Sequence, residues 1–369
     1  MCDNSQSAVT PGALDCPPSE LRAMALPYQQ PGLALARGVK DPARVRSLQR
    51  DLRRLGYLAA GIDGVFLDGT ERAIQALQYD LLNNHGRSSH DDGSAPVAVA
   101  DYNRGRVAVE TGVLDQGLAA CIADLLADAA FPKLPGAEDA AAANERALTA
   151  IDKAGSAVAP TPMLRAIVTQ ETGGRHFVVP GGGDEDNFVL VGLDRGGGGH
   201  VVTSRGYGIG QATLFHHPPR PQEVEELILD PVRNVAHAYK ELRRKFDGYV
   251  VGPEDTADDH AAEHAGEALR MCLYPPGDPL YLRDCANCAR KARKVDIKRG
   301  QPVHAGAGTT YEPTQYYASA NYRGVPDRAD FPCDWPYAVR RYNGGGINSY
   351  HYQARVLLNL LAAVPVPTP

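Results

Sequence analysis

The chain has 369 residues, 43% of them hydrophobic and 22% charged, with a formal net charge of −6. That length suggests about two domains and enough apolar surface for buried cores, and the charge balance excludes a globally basic nucleic-acid binder. No apolar run approaches the ~20 residues that a membrane helix needs, so no membrane insertion is expected.

Taken in order, residues 1–37 hold five prolines and no apolar period, and read as an irregular leader. The start, MCDNSQSAVTPGALDCPPSE, has neither a basic segment nor an apolar core, so no secretory signal and no lipid anchor at Cys2 are expected. Asp41-Pro42 opens a helix with a side-chain cap and a proline at its first position. Val45, Leu48, Leu52 and Leu55 follow at helical spacing, and Gly56 stops them. A second helix runs from Thr70 with Ala73, Ile74, Leu77 and Leu81 on one face. Residues 87–160 read as a linker that turns into an Ala-rich helical connector. Thr161-Pro162 opens the next helix, and Asp230-Pro231 another that carries Val232, Val235, Tyr239, Leu242 and Phe246. Between them, residues 171–211 hold 13 of the 38 glycines. FVVP and NFVLVGL near 177–193 predict a small hairpin, and a last helix is expected over about 349–364. The fold class is mainly α.

The stretch 39–78 carries Val45, Leu48, Gln49, Leu52, Leu55-Gly56-Tyr57, Asp63-Gly64, Phe66, Thr70, Ala73, Ile74 and Gln78. It resembles the small peptidoglycan-binding domain of cell-wall hydrolases. That resemblance implies a three-helix unit over 38–86. Leu67-Asp68 departs from the glycine usual there. Tyr57, Asp63 and Thr70 lie near the turn and are the candidate wall-binding residues.

In TPMLRAIVTQETGG, Met163, Leu164, Ile167 and Val168 form an apolar stripe. Glu171 falls on that face, where desolvation raises a carboxyl pKa and suits it to general acid work. Residues 206–211 read GYGIGQ and 340–346 read RRYNGGG. With Glu171, these resemble in order the three motifs of the soluble lytic transglycosylase and goose-type lysozyme superfamily. The resemblance implies a lysozyme-like α (α+β) catalytic domain over 161–369. Glu171 becomes the general acid, Thr172, Tyr207, Gly208, Ile209 and Gln211 the groove, and Tyr342 and Asn343 its facing wall. Asn234, in a helix start Asp-Pro-x-x-Asn, also fits. Thr172 stands where transglycosylases usually have Ser. Hydrolysis by inversion needs a second carboxylate, and Asp184, Asp186 and Asp194 are the candidates. LDRG at 193–196 is similar to a goose-type lysozyme segment that carries such an Asp. Otherwise the muramoyl 6-hydroxyl attacks and leaves a 1,6-anhydro product.

Residues 248–335 read as a long insertion. His260-Ala261-Ala262-Glu263-His264 matches a zinc-peptidase pattern, although an acidic surface helix accounts for it. Cys285 and Cys288, with Cys272 and Cys333, fit disulfides or a structural zinc. The run 289–299 is basic, and Tyr311, Tyr316, Tyr317, Tyr322 and Tyr337 form a candidate stacking surface. No metal and no cofactor is assigned. The expected whole is a wall-binding unit joined to a muramidase, with peptidoglycan glycan strands as partner. Without an export signal, the expected route to the periplasm or cell wall from the cytoplasm is that of a phage endolysin or a type VI secretion effector. An effector brings an immunity protein or a secretion-apparatus component as further partner.

Overall fold

The computed structural model describes residues 26–88, 90, 93–153, 158–181, 185–196, 199–251, 268–285, 331–344 and 347–363. The architecture is mainly α with one small antiparallel sheet. α1 (Pro42–Arg54) starts where its sequence demands: the Asp41 carboxylate accepts the Arg44 amide at 3.2 Å, and Pro42 takes the first position. Val45, Leu48, Leu52 and Leu55 are all buried. Each contributes roughly 1.5–3 kcal/mol by leaving water. α2 (Asp68–Asn83) buries Ala73, Ile74, Leu77 and Leu81 against them. Two α-helices, rather than three, thus lie between 38 and 86.

The core of this unit reaches well beyond residue 86. It takes in Tyr28 and Leu35 from the leader, Val99 and Tyr102 from a 3-10 turn, Leu118, Ile122 and Leu125 from α3 (Gln116–Ala127), and Phe131. Leu35 bridges Leu114, and the Gln78 side-chain amide donates to Thr111 and the Val113 carbonyl. Of the stretch 87–160 expected as linker and helical connector, residues between 97 and 131 thus contribute to the first core. Polar residues there satisfy loop backbone, as Asn103 does for Val107, which is why they read as solvent-facing.

A second core joins α4 (Ala140–Lys153), α5 (Thr161–Thr172), α7 (Pro231–Phe246), α8 (Trp335–Tyr342) and α9 (Ile347–Ala363). α5 packs on α9 and α7 on α8. α6 (Pro221–Glu223) leads through a π turn, Val224–Leu229, into α7.

Between the cores lies the sheet β1-β2-β3: Val191–Gly196, Val201–Tyr207 and Ala212–Leu214. The predicted hairpin survives only as the Phe177–Val189 bridge. β1 takes up the end of the predicted NFVLVGL strand, 191–193, and pairs with β2 further along the glycine-dense stretch instead of with 177–180.

The two units share buried charges. Arg53 of α1 meets Asp186 at 2.8 Å with 1% and 0% of their side chains exposed. Arg205 of β2 donates to the Gly56 carbonyl at 3.1 Å and to Asp80 of α2 at 3.2 Å. Within the insertion, 268–285 is tied to the start of α8 by Arg270 and Asp334, and Cys272, Cys285 and Cys333 converge on the second core. Burial, then the neighbouring Cys333 and Cys272, push the Cys285 thiol well up. Cys288, the HAAEH segment, the basic run and Tyr311, Tyr316, Tyr317 and Tyr322 lie outside the described residues. Among the described residues, no helix is long and apolar enough to cross a membrane.

Candidate active site

α5 ends as its sequence dictates. Gly173 (φ 65°) and Gly174 (φ 77°) adopt the left-handed turn that closes a helix, and their amides reach back to the Thr169 and Val168 carbonyls. Glu171 is thereby left on the last turn, half-buried, above Ile167 and Val168. The Tyr352 hydroxyl, from α9, donates to its Oε1 at 2.5 Å. Burial raises the Glu171 carboxyl above its ordinary value, the Tyr352 bond lowers it, and Asp194 raises it again; the net direction is up.

The turn 207–211 is built for close approach. Gly208 (φ 68°) donates its amide to the Leu190 carbonyl at 2.8 Å, and a Cβ there would lie 2.3 Å from the His176 ring. The Ile209 amide donates to His176 Nδ1 at 3.2 Å, which puts the ring proton on Nε2, 2.8 Å from the Ile228 carbonyl. Burial holds His176 down at about 4, so it stays neutral and keeps both bonds. Asn234 accepts the Gly210 amide at 2.8 Å and donates to the Tyr207 carbonyl at 2.9 Å.

Gln211 (φ 50°) lays its side chain back over the sheet, with Nε2 donating to the Gly208 carbonyl at 2.8 Å. Its Oε1 occupies the space that a Cβ would need at Gly192 and at Gly206, which face each other across β1 and β2. A pair of cross-strand glycines thus makes the slot for Gln211.

Tyr342, last residue of α8, donates its hydroxyl to the Gly210 carbonyl at 2.7 Å. Burial, then the nearby Glu171, push its phenol well up. Asn343 follows on the exposed helix end. Asp194 of β1 is exposed, and Ser204 of β2 donates to it at 2.7 Å. Asp194, Gln211, Tyr342 and Asn343 line one cavity of about 550 Å³.

Several expected site residues work elsewhere. Asp186 is consumed by the buried ion pair with Arg53 and by the Phe188 amide, too deep to activate water for a substrate. Asp184 lies outside the described residues. The Thr172 hydroxyl is buried, 3.1 Å from the Val168 carbonyl and 3.4 Å from that of Ile209, so it ties helix to turn instead of meeting substrate. Tyr207 and Ile209 are fully buried, and burial pushes the Tyr207 phenol up to about 12. Their backbone shapes the groove, while the Ile209 side chain fills the second core and that of Tyr207 a separate apolar cluster with Phe177, Val189 and Ile228.

In the first unit, Tyr57 is fully buried with its hydroxyl on Asp80 at 2.8 Å, and Thr70 is buried against Gln49. Neither reaches a wall polymer. Asp63 is exposed, but its carboxylate braces the turn, accepting the Val65 amide at 2.8 Å and Gln49 at 2.9 Å.

The sequence reading missed Tyr352, Asn144 and the structural role of His176. Asn144 accepts the amides of His176 and Phe177, which fixes the strand beside the acid. The spacing of Tyr352 with Val356 and Leu360, four and eight residues on, marked a buried helix face and gave no sign of a carboxylate partner.

Residues 41–81 match the peptidoglycan binding domain family. No curated protein and no solved structure matches the chain.

Proposed function

We propose that the protein is a muramidase that cleaves the β-1,4 bond between N-acetylmuramic acid and N-acetylglucosamine, with Glu171 as general acid. The peptidoglycan binding domain supports association with the cell wall. The observation that carries the catalytic reading is the Glu171 carboxyl, raised by burial, held by Tyr352, and near enough to Asp194 and Tyr342 of the cavity wall to share their electrostatics. A carboxyl with a raised pKa holds its proton to higher pH than an ordinary one and can give it to a leaving sugar oxygen. Gly208 and Gly210 let the turn pack against His176 and Ala238, which sets the position of its backbone beside Gln211.

Asp194 is the remaining described candidate for the second carboxylate. It lines the same cavity and lies close enough to Glu171 to raise its pKa. Activation of water by Asp194 yields hydrolysis; in its absence the muramoyl 6-hydroxyl closes onto its own anomeric carbon. The site of action is then the periplasm or cell wall, reached by the route of an endolysin or an injected effector.

The test is turbidity of purified sacculi with wild type and Glu171→Gln, with mass spectrometry of the products. Loss of turbidity only with wild type is expected, with reducing ends that give way to 1,6-anhydro ends or to no product in Asp194→Asn. Equal action of wild type and Glu171→Gln overturns the assignment. Binding without any cleavage by wild type would make the protein a wall-binding module.

A further inference from the structure

The cavity lined by Asp194, Gln211 and Tyr342 is also lined by α7, and that wall carries chemistry that cleaving a neutral sugar bond does not use. α7 turns Val235, Ala238, Tyr239, Leu242 and Phe246 into the core. Its adjoining face, spaced at helical intervals, presents His237, Glu241, Arg244 and Lys245 to the cavity. Arg244 donates Nε and Nη2 to the two Glu241 oxygens at 2.9 and 3.0 Å, and Lys245 Nζ lies 3.4 Å from Glu241 Oε1. Burial alone would raise the Glu241 carboxyl, but Arg244 and Lys245 outweigh it and hold it below its ordinary value. Glu241 thus fixes the two cations in place and neutralises one charge. The Arg341 guanidinium, 4.6 Å over the Tyr249 ring that also lines the cavity, adds positive charge behind this wall. Lys245 has only 13% of its side chain exposed, so its field is little screened by water.

The groove is therefore electrically divided. Asp194 lines it on β1 and Arg244 and Lys245 line it on α7, with Tyr342 and Asn343 on the same wall, while Glu171 lies near enough to feel Asp194. The sugar ring substituents of a glycan chain, its hydroxyls and acetamides, are neutral, and without peptide its only anions are the lactyl carboxylates close to the ring. In peptidoglycan the muramoyl sugar bears a peptide on its lactyl ether, and that peptide carries free carboxylates. Arg and Lys fixed on a groove wall are the groups that recognise a carboxylate.

We propose that Arg244 and Lys245 form a carboxylate subsite for the acidic peptide of the muramoyl residue, so that the enzyme selects peptide-bearing strands. This rests on the wall-cleaving reading above.

The experiment compares peptide-bearing glycan strands with strands stripped by an amidase, which exposes the lactyl carboxylate in place of the peptide's. Wild type is expected to cleave peptide-bearing strands with kcat/KM about tenfold higher or more, the size of one charge-assisted hydrogen bond. The Arg244→Gln/Lys245→Gln double variant is expected to lose that preference through KM, and Lys245→Arg to keep it. Equal wild-type rates on both substrates overturn the proposal, as does a double variant that keeps the preference. If wild type cleaves neither substrate, the wall-cleaving reading fails on its own. Calorimetric titration of the Glu171→Gln protein with disaccharide-peptide and with bare disaccharide then decides the subsite. Tighter binding of the peptide form, abolished by the double change, supports it, and equal binding overturns it.

Discussion

Asp186→Asn probes the joint between the two units. Asp186 and Arg53 are 1% exposed or less and 2.8 Å apart, so neither charge is solvated by water. Removing one partner of such a pair costs about 3–5 kcal/mol, because the other stays buried and uncompensated. Two features place this case near the lower end, about 3 kcal/mol. Asn retains an oxygen for the Phe188 amide, now accepted by Asp186 Oδ1 at 2.9 Å, and Arg53 still donates to the Ala59 and Val189 carbonyls. The neighbouring pair Arg50–Glu185, at 3.0 Å but with 45% and 56% exposure, supplies the internal control: Glu185→Gln should cost less than about 1 kcal/mol. Urea unfolding midpoints of the three proteins, read with a common m-value, give both differences. The double change Arg53→Met/Asp186→Leu should recover much of the loss, since apolar groups of similar volume replace buried ion pairs well. An Asp186→Asn protein within about 1 kcal/mol of wild type refutes the reasoning. So does one that keeps wild-type stability but loses cleavage, which would return Asp186 to the chemistry.

Three further outcomes follow from the site. The folded state holds the Glu171 proton more tightly than the unfolded chain, so stability falls as pH rises from the ordinary carboxyl range to the raised value. Glu171→Gln should therefore melt above wild type at pH 7.5, with the gap closing below about pH 4, and a gap independent of pH would refute the assignment. The Tyr352 bond lowers the Glu171 pKa, so Tyr352→Phe should raise it and move the basic limb of the pH–rate profile upward; an unmoved limb would sever Tyr352 from the acid. A Cβ at Gly192 would lie 2.2 Å from Gln211 Oε1, the flexible end of a side chain. Gly192→Ala should thus displace Gln211 and lower kcat/KM with less than about 1 kcal/mol lost in stability, and adding Gln211→Ala should cost little more; additive losses would show that Gln211 is not the target.

The helices were legible because their signals are local. Asp41-Pro42 and Asp230-Pro231 cap α1 and α7 where they stand in sequence, and the apolar spacing names the buried faces. The place of Glu171 on the last turn of α5 was legible for the same reason, on an apolar stripe before two glycines. What stayed hidden depends on contacts distant in sequence. Arg53 finds Asp186 across 133 residues, and neither is marked by its neighbours as buried. Tyr57 and Thr70 sit near a turn, and proximity to a turn does not say whether a side chain points out or in; here Asp80 and Gln49 draw both inward. The strands were obscured because Gly192 and Gly206 weaken the strand pattern, although they are what admits Gln211.

These contacts bear on how wall binding and cleavage relate. A binding module on a flexible linker acts by raising local concentration, and its geometry toward the cleaving site is free. Here Arg205 is 3% exposed, bonded to Gly56 and Asp80 of the unit that matches the peptidoglycan binding domain family, with its guanidinium 5.1 Å over the Tyr57 ring. Arg205 sits on β2 directly after Ser204, whose hydroxyl holds Asp194, and opposite Leu193, the residue before Asp194 on β1. The charge that anchors the first unit is thus two bonded steps from the carboxylate proposed to activate water. A glycan strand held by residues 41–81 would then meet the groove at a fixed offset instead of a distribution of them. In that arrangement the first unit sets register along the strand, and the peptide carboxylate proposed to meet Arg244 and Lys245 supplies a second fixed point in the cavity that Asp194 also lines.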